Sequence, residues 1–161
     1  MKIRSITYFL NPGWPFCEAE LRKAKEFNAV ARPVFEKAGY EVQSMRLVSI
    51  PFPCLIKNWA SGETVEFAQA LEHAAREAGY GYAAAGPACP DIPESYQAIP
   101  AMLAASQDVF FSGVIADKQM GVLLPAIKAC ASIIRCSSTL TPDGFTNLRF
   151  SASANVPAGG P

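Results

Sequence analysis

The chain has 161 residues, of which half are hydrophobic and 17% are charged. This composition excludes intrinsic disorder as the main state and predicts a single folded domain over residues 1–161. Lysine plus arginine equals aspartate plus glutamate, 14 of each. Because there is no basic excess to neutralise a phosphate backbone, we predict no nucleic-acid partner.

No targeting or membrane segment is predicted from the sequence. The apolar stretch after Lys2 and Arg4 is too short for a signal peptide, and no charge-free run approaches the roughly 18 apolar residues of a membrane span. The five cysteines are scattered and form no C-x-x-C pair. This usage is typical of free thiols, so we predict a cytoplasmic protein that has no membrane partner.

In the first half of the chain, strand patterns alternate with helix patterns. β-Branched and aromatic residues predict a strand over residues 3–10. Apolar residues at helical spacing predict a helix over 17–38, and a second strand is predicted over 41–48. A second helix is predicted over 61–78, and Gly79 marks its end.

The second half continues the alternation with a strand over 80–85 and a helix that ends near residue 105. The next strand, 108–116, is almost continuously apolar, which predicts burial on both faces of a helix-covered sheet. The helix predicted over 121–135 has a narrow polar stripe and is expected to be mostly buried. An alternating strand over 148–155 follows.

The order βαβαβαβαβ predicts an α/β fold in which about five mainly parallel strands alternate with four helices. Five parallel strands and their helices would form half of an α/β barrel. Residues 80–161 carry only 9 charged side chains, whereas residues 1–79 carry 19. Since little charge is available there for a solvated surface, the second half is expected to form the centre of the domain, or to meet another chain or a missing segment. For the assembly, we predict a homo-oligomer.

The common catalytic fingerprints are missing from the sequence. It contains no G-x-G-x-x-G, no Walker loop, no G-x-S-x-G and no H-E-x-x-H. The single histidine, His73, is expected to be solvated at the surface, and the dispersed cysteines offer no ligand spacing. We therefore predict no metal and no cofactor. A reactive role for Cys89 before a helix competes with a role as small core filler.

The candidate site lies where the predicted strands end, because ligands of parallel α/β folds bind beyond the strand carboxyl ends. Asp117 and Lys118 directly follow a buried strand and are the candidate catalytic pair, with Asp117 as acid or base. A solvated loop is the competing interpretation of this pair. The residues proposed to bind ligand are Asn11, Asp91, Arg149 and Asn155.

Two of these residues have alternative roles. Asp91 begins an Asp-Ile-Pro-Glu capping box and could cap the following helix. Arg149 lies on the polar face of the last predicted strand, where its fork could clamp an anion or pair with a neighbouring carboxylate.

Two functional hypotheses follow from these residues. The first is an enzyme with a site for a small anionic molecule at the strand carboxyl ends. The second is a non-catalytic interaction or oligomerisation module, or an amino-terminal fragment that needs a missing carboxyl-terminal part. Clustering of the polar residues around one pocket would favour the first, and an exposed apolar patch along 121–135 would favour the second.

Several short motifs resemble those of domain-of-unknown-function family 711. The matching segments are residues 1–15, Gly86-Pro87, Pro93-Glu94-Ser95-Tyr96, Phe110-Phe111-Ser112-Gly113, Ala116-Asp117, Asn147-Leu148-Arg149-Phe150 and Ala154-Asn155-Val156-Pro157. The resemblance implies the α/β barrel fold of pyruvate formate-lyase-like glycyl radical enzymes. Family members are usually longer, so the chain resembles their amino-terminal part. An adjacent cysteine pair and a glycyl-radical loop are absent, so radical chemistry is not implied.

Overall fold

The computed structural model describes residues 1–156. Its helices are α1 (Glu18–Lys37), α2 (Ser61–Glu77), α3 (Pro93–Ala105) and α4 (Leu124–Ser137). Its strands are β1 (Lys2–Ile3), β2 (Ile6–Leu10), β3 (Glu41–Val42), β4 (Met45–Ser49), β5 (Tyr82–Ala88), β6 (Val109–Asp117), β7 (Gly121–Val122) and β8 (Phe150–Ala154).

The main sheet is wound in chain order. Strands β2, β4, β5, β6 and β8 are neighbours in that order, and every adjacent pair is parallel. The short β7 is antiparallel to the end of β6, and β1 pairs with β3 in a separate two-stranded sheet. The predicted α/β fold with a largely parallel sheet is confirmed.

The four helices of the described chain cover one face of this sheet. A right-handed connection between neighbouring parallel strands always places its helix on the same side, and all four connections join neighbours. The side chains that face the helices form a register row across the strands. This row consists of Tyr8, Leu47, Ala83 and Val109. Tyr8 contacts Phe27 of α1, with 5.0 Å between ring centroids, and the other three residues are fully buried.

The opposite face of the sheet, which we call the open face, is not covered by any helix of residues 1–156. One register row on it consists of Phe9, Val48, Ala84 and Phe110. The side chain of Phe9 is 63% exposed. The prediction that residues 108–116 are buried on both faces is therefore wrong for the open face, where Phe110 remains half-buried.

Helices α1 and α4 lie at the two ends of the helical layer. Because each has a helical neighbour on one side only in the described part of the chain, apolar side chains on its outer flank reach solvent. The large exposed ones are Phe27, Val30, Val34 and Phe35 on α1 and Leu124, Ile127 and Ile134 on α4. The expectation that the fourth helix is mostly buried is wrong for this reason. No helix in residues 1–156 is long and apolar enough to cross a membrane.

Candidate functional site

Asp117 and Asn155 lie together at the carboxyl ends of β6 and β8. The backbone N–H of Asn155 donates a hydrogen bond to the carbonyl of Ala116 at 2.8 Å, and Ala116 is the register partner of Ala154. Asn155 has a positive φ of 56°, a conformation that asparagine tolerates better than most residues. The structure thus brings two of the predicted site residues to the same corner of the sheet.

The Asp117 carboxylate is engaged in the turn that follows β6. One oxygen accepts hydrogen bonds from the backbone N–H groups of Gln119 and Met120, both at 2.7 Å. These bonds hold the chain as it reverses into β7. The carboxylate remains only partly buried, and the neighbouring Lys118 is exposed. This geometry leaves an oxygen of Asp117 and the ammonium of Lys118 available to solvent.

Asn11 and Asp91 lie apart from this corner. Asn11 follows β2, three strand spacings or about 14 Å from β6. Its side-chain oxygen accepts a hydrogen bond from the N–H of Gly13 at 3.2 Å. Asp91 is exposed, and the capping position of α3 is held by Ile92 without a side-chain hydrogen bond. The capping role considered for Asp91 is therefore wrong.

Arg149 lies at the opposite end of the sheet from Asp117. It ends a 3₁₀ segment over Phe145–Arg149 and does not lie on the strand, which begins at Phe150. Its buried guanidinium donates to the carbonyls of Leu103 and Ser106, each at 2.8 Å. Burial lowers the pKa of this guanidinium. The expected grouping of Arg149 with the carboxyl-end residues is wrong, because its donors serve the end of α3.

The thiol of Cys89 is half-buried at the end of β5. Burial raises its pKa to about 11, and the nearby Cys54 and Asp91 add to the effect. A raised pKa keeps the thiol protonated near neutral pH, which disfavours a nucleophilic role. His73 is exposed, as predicted.

A cavity of about 300 Å³ lies on the open face. It is lined by Thr7, Phe9, Arg46, Leu47, Val48, Tyr82, Ala84 and Phe110. The guanidinium carbon of Arg46 lies 5.1 Å from the centroid of the Tyr82 ring, and the rings of Tyr82 and Phe110 are 5.0 Å apart. The Nε of Arg46 is buried and has no hydrogen-bond partner among residues 1–156.

Sequence analysis missed this arginine, although the pattern of β4 contained it. Met45, Leu47 and Ser49 alternate with Arg46 and Val48, so a half-covered sheet puts Arg46 on the face away from the helices. Because we predicted a sheet covered on both faces, we did not expect this alternation to place Arg46 on an uncovered face.

Two other cavities lie between helices. A groove of about 620 Å³ separates α1 from α2, and His73 and Glu77 line it together with basic residues of α1. A cavity of about 280 Å³ lies between the first turns of α3 and α4 and is lined mainly by proline, leucine and alanine side chains. None of the predicted site residues lines any of these three cavities.

The fold is a singly wound α/β domain whose main sheet is parallel apart from the short β7. The sequence model of the family described as Uncharacterised ACR (DUF711) matches residues 1–161, and the chain belongs to this family. No curated protein matches the chain. The grouping with glycyl radical enzyme barrels stays a prediction.

Proposed function

We propose that this α/β domain is one wall of a closed α/β barrel, and that a second copy of the chain supplies the other wall. The observation that carries the proposal is the open face. Parallel sheets are normally covered on both faces, whereas here Phe9 is exposed and its neighbours in the row are only half-buried within residues 1–156. Closing a barrel removes this exposure and the free sheet edges together.

The two lateral edges of the sheet match each other. Within residues 1–156, strand β2 has one free edge and β8 has the other, and both strands run in the same direction. A twofold axis parallel to the strands would place β2 of one protomer beside β8 of its partner, twice. A second copy therefore satisfies both edges with one repeated contact, as in closed cyclic assemblies.

The flanks of the helical layer support the same arrangement. The outer flank of α1 exposes Val30 and Val34, and that of α4 exposes Leu124 and Ile134. If β2 pairs with β8 of the partner, α1 packs beside the partner's helical flank at the same two seams. Exposed apolar side chains along 121–135 are the feature that favours an interaction module over an isolated enzyme.

Light scattering and native mass spectrometry at micromolar protein concentration test the assembly. We expect a dimer of the 17.3 kDa chain. Val30→Glu, which puts a charge on the α1 flank, is expected to weaken the dimer at least about tenfold. The matched control is Gln69→Glu on the outer surface of α2, which is expected to leave the dimer intact. A monomeric wild-type protein would overturn the proposal.

A second candidate function is an enzyme that acts on a small anionic molecule at the carboxyl ends of the strands. The observation that favours it is the contact between the ends of β6 and β8, which places Asn155 beside Asp117. Lys118 would attract the anion, Asp117 would act as acid or base, and Asn155 would orient the ligand. Asp117→Asn tests this function, because unchanged ligand binding and turnover would remove Asp117 from it.

A further inference from the structure

We infer that the open face binds a small molecule with an apolar body and a single carboxylate, and that Arg46 holds the carboxylate. The inference rests on the proposed function in one respect, because a closed barrel would turn the open face into an enclosed lumen. A barrel of ten strands has a wider interior than the eight-stranded barrels that side chains can fill. The lumen would therefore have room for a ligand.

Arg46 is held in place by an aromatic ring. Its guanidinium lies over Tyr82, 5.1 Å from the ring centroid, and this cation–π contact fixes one face of the group. Among residues 1–156 the guanidinium has no carboxylate partner within ion-pair distance. Its Nε is buried and makes no hydrogen bond. A carboxylate bound in the cavity would supply the ion-pair partner that the guanidinium lacks.

The rest of the cavity is suited to an apolar body. Phe9, Val48 and Phe110 lie in the register row next to that of Arg46. Together they provide aromatic and aliphatic walls beside the guanidinium. The volume of about 300 Å³ matches the lower end of small-molecule sites, which are mostly apolar with a few placed polar groups.

Charge favours a small anion over a protein surface that fills the same space. Arg46 is the charged side chain among the residues that line the cavity. If the open face of a second copy filled the space directly, it would bring a second Arg46 and no carboxylate, and two cations would be buried together. One guanidinium with the hydroxyls of Thr7 and Tyr82 suits a monoanion better than a phosphate dianion.

Binding of 2-naphthoate, measured by calorimetry and by amide shifts in protein NMR spectra, tests the inference. The neutral 2-naphthamide has the same apolar body and lacks the charge. We expect naphthoate to bind at least about tenfold more tightly than naphthamide and to shift the amides of Tyr82 and Phe110. Arg46→Met should lose this preference, whereas the matched control Arg135→Met, on the exposed surface of α4, should keep it.

The outcomes separate the ligand from the assembly when the mass of the same sample is measured by light scattering. A monomer that prefers naphthoate through Arg46 overturns the barrel and supports the ligand. A dimer that binds the two compounds equally, or neither, overturns the ligand and supports the barrel. If Arg46→Met fails to fold, the comparison of the two compounds on the wild-type protein decides the question.

Discussion

Arg149 and Ser106 join the last strand of the sheet to the end of helix α3. The Nη1 of Arg149 donates to the carbonyl of Ser106 at 2.8 Å, and its Nη2 donates to the carbonyl of Leu103 at the same distance. The last carbonyls of a helix lack partners within the helix, and a cation is favourable there. Helix α3 has no basic residue in its own last turn, so residue 149 supplies the missing charge.

Arg149→Met is expected to lower the free energy of unfolding by about 3 kcal/mol, because it leaves buried carbonyls without donors. Urea unfolding followed by circular dichroism measures the change. Arg135→Met removes an exposed arginine from α4 and should change stability by less than about 0.5 kcal/mol. An Arg149→Met protein as stable as this control would show that the guanidinium contacts contribute nothing to stability.

The sequence predicted the main elements because their signals are local. Helical spacing located α1 and α2 to within a residue or two, and the alternation of strands and helices predicted a parallel sheet. It did not predict which faces would be covered. The apolar run of β6 is compatible with burial on one face or on both, and only the winding of the whole sheet decides between them.

The sequence also predicted part of the candidate site, because local signals locate the ends of the strands. The strand ends were located well enough to bring Asp117 and Asn155 together. Arg149 was misplaced because a 3₁₀ turn of the same composition precedes the strand, and its burial depends on the end of α3, more than forty positions away in the chain. Arg46 was overlooked because its importance depends on an uncovered face.

Cys89 is expected to be the slowest of the partly accessible thiols to react with iodoacetamide at pH 8.5. Burial raises its pKa to about 11 from 9.0, so little thiolate is present, whereas Cys17, Cys54 and Cys136 are exposed. Peptide mass spectrometry should find alkylation of Cys89 at least about tenfold slower than that of these three. Labelling of Cys89 at the rate of the exposed thiols would contradict the buried placement.

The same shift predicts how Cys89 affects stability against pH. The folded pKa lies above the unfolded one, so the unfolded chain loses its proton first as the pH rises. The contribution of Cys89 to the free energy of unfolding is therefore fully present below about pH 9, and it is lost as the pH rises through about 11. Urea unfolding across this range should find a smaller decline in Cys89→Ala than in the wild-type protein. An unchanged decline would assign the pH dependence to other groups.

Asp117→Ala is expected to destabilise the protein by about 1 kcal/mol, because the N–H groups of Gln119 and Met120 lose their acceptor. Asp117→Asn keeps an oxygen at the same position and should lose less than half of that amount. Thermal and urea unfolding of both variants measure the difference. The pair also separates structure from chemistry, since Asp117→Asn removes the charge needed by an acid or base and preserves the turn. Equal losses in the two variants would show that charge, and not the acceptor oxygen, holds the turn.

Gly86 and Gly121 provide a matched pair for the final prediction. Both have positive φ, 70° and 68° respectively. A β-carbon on Gly86 would lie 2.7 Å from Cα of Pro51, where the connection after β4 crosses β5, whereas one on Gly121 would meet nothing within 4 Å. Gly121→Ala therefore carries only the backbone strain of about 1 kcal/mol. Gly86→Ala adds a clash with backbone that cannot rotate away, and should cost at least about 2 kcal/mol more in urea unfolding. Equal losses in the two variants would mean that the connection at Pro51 is not packed on β5.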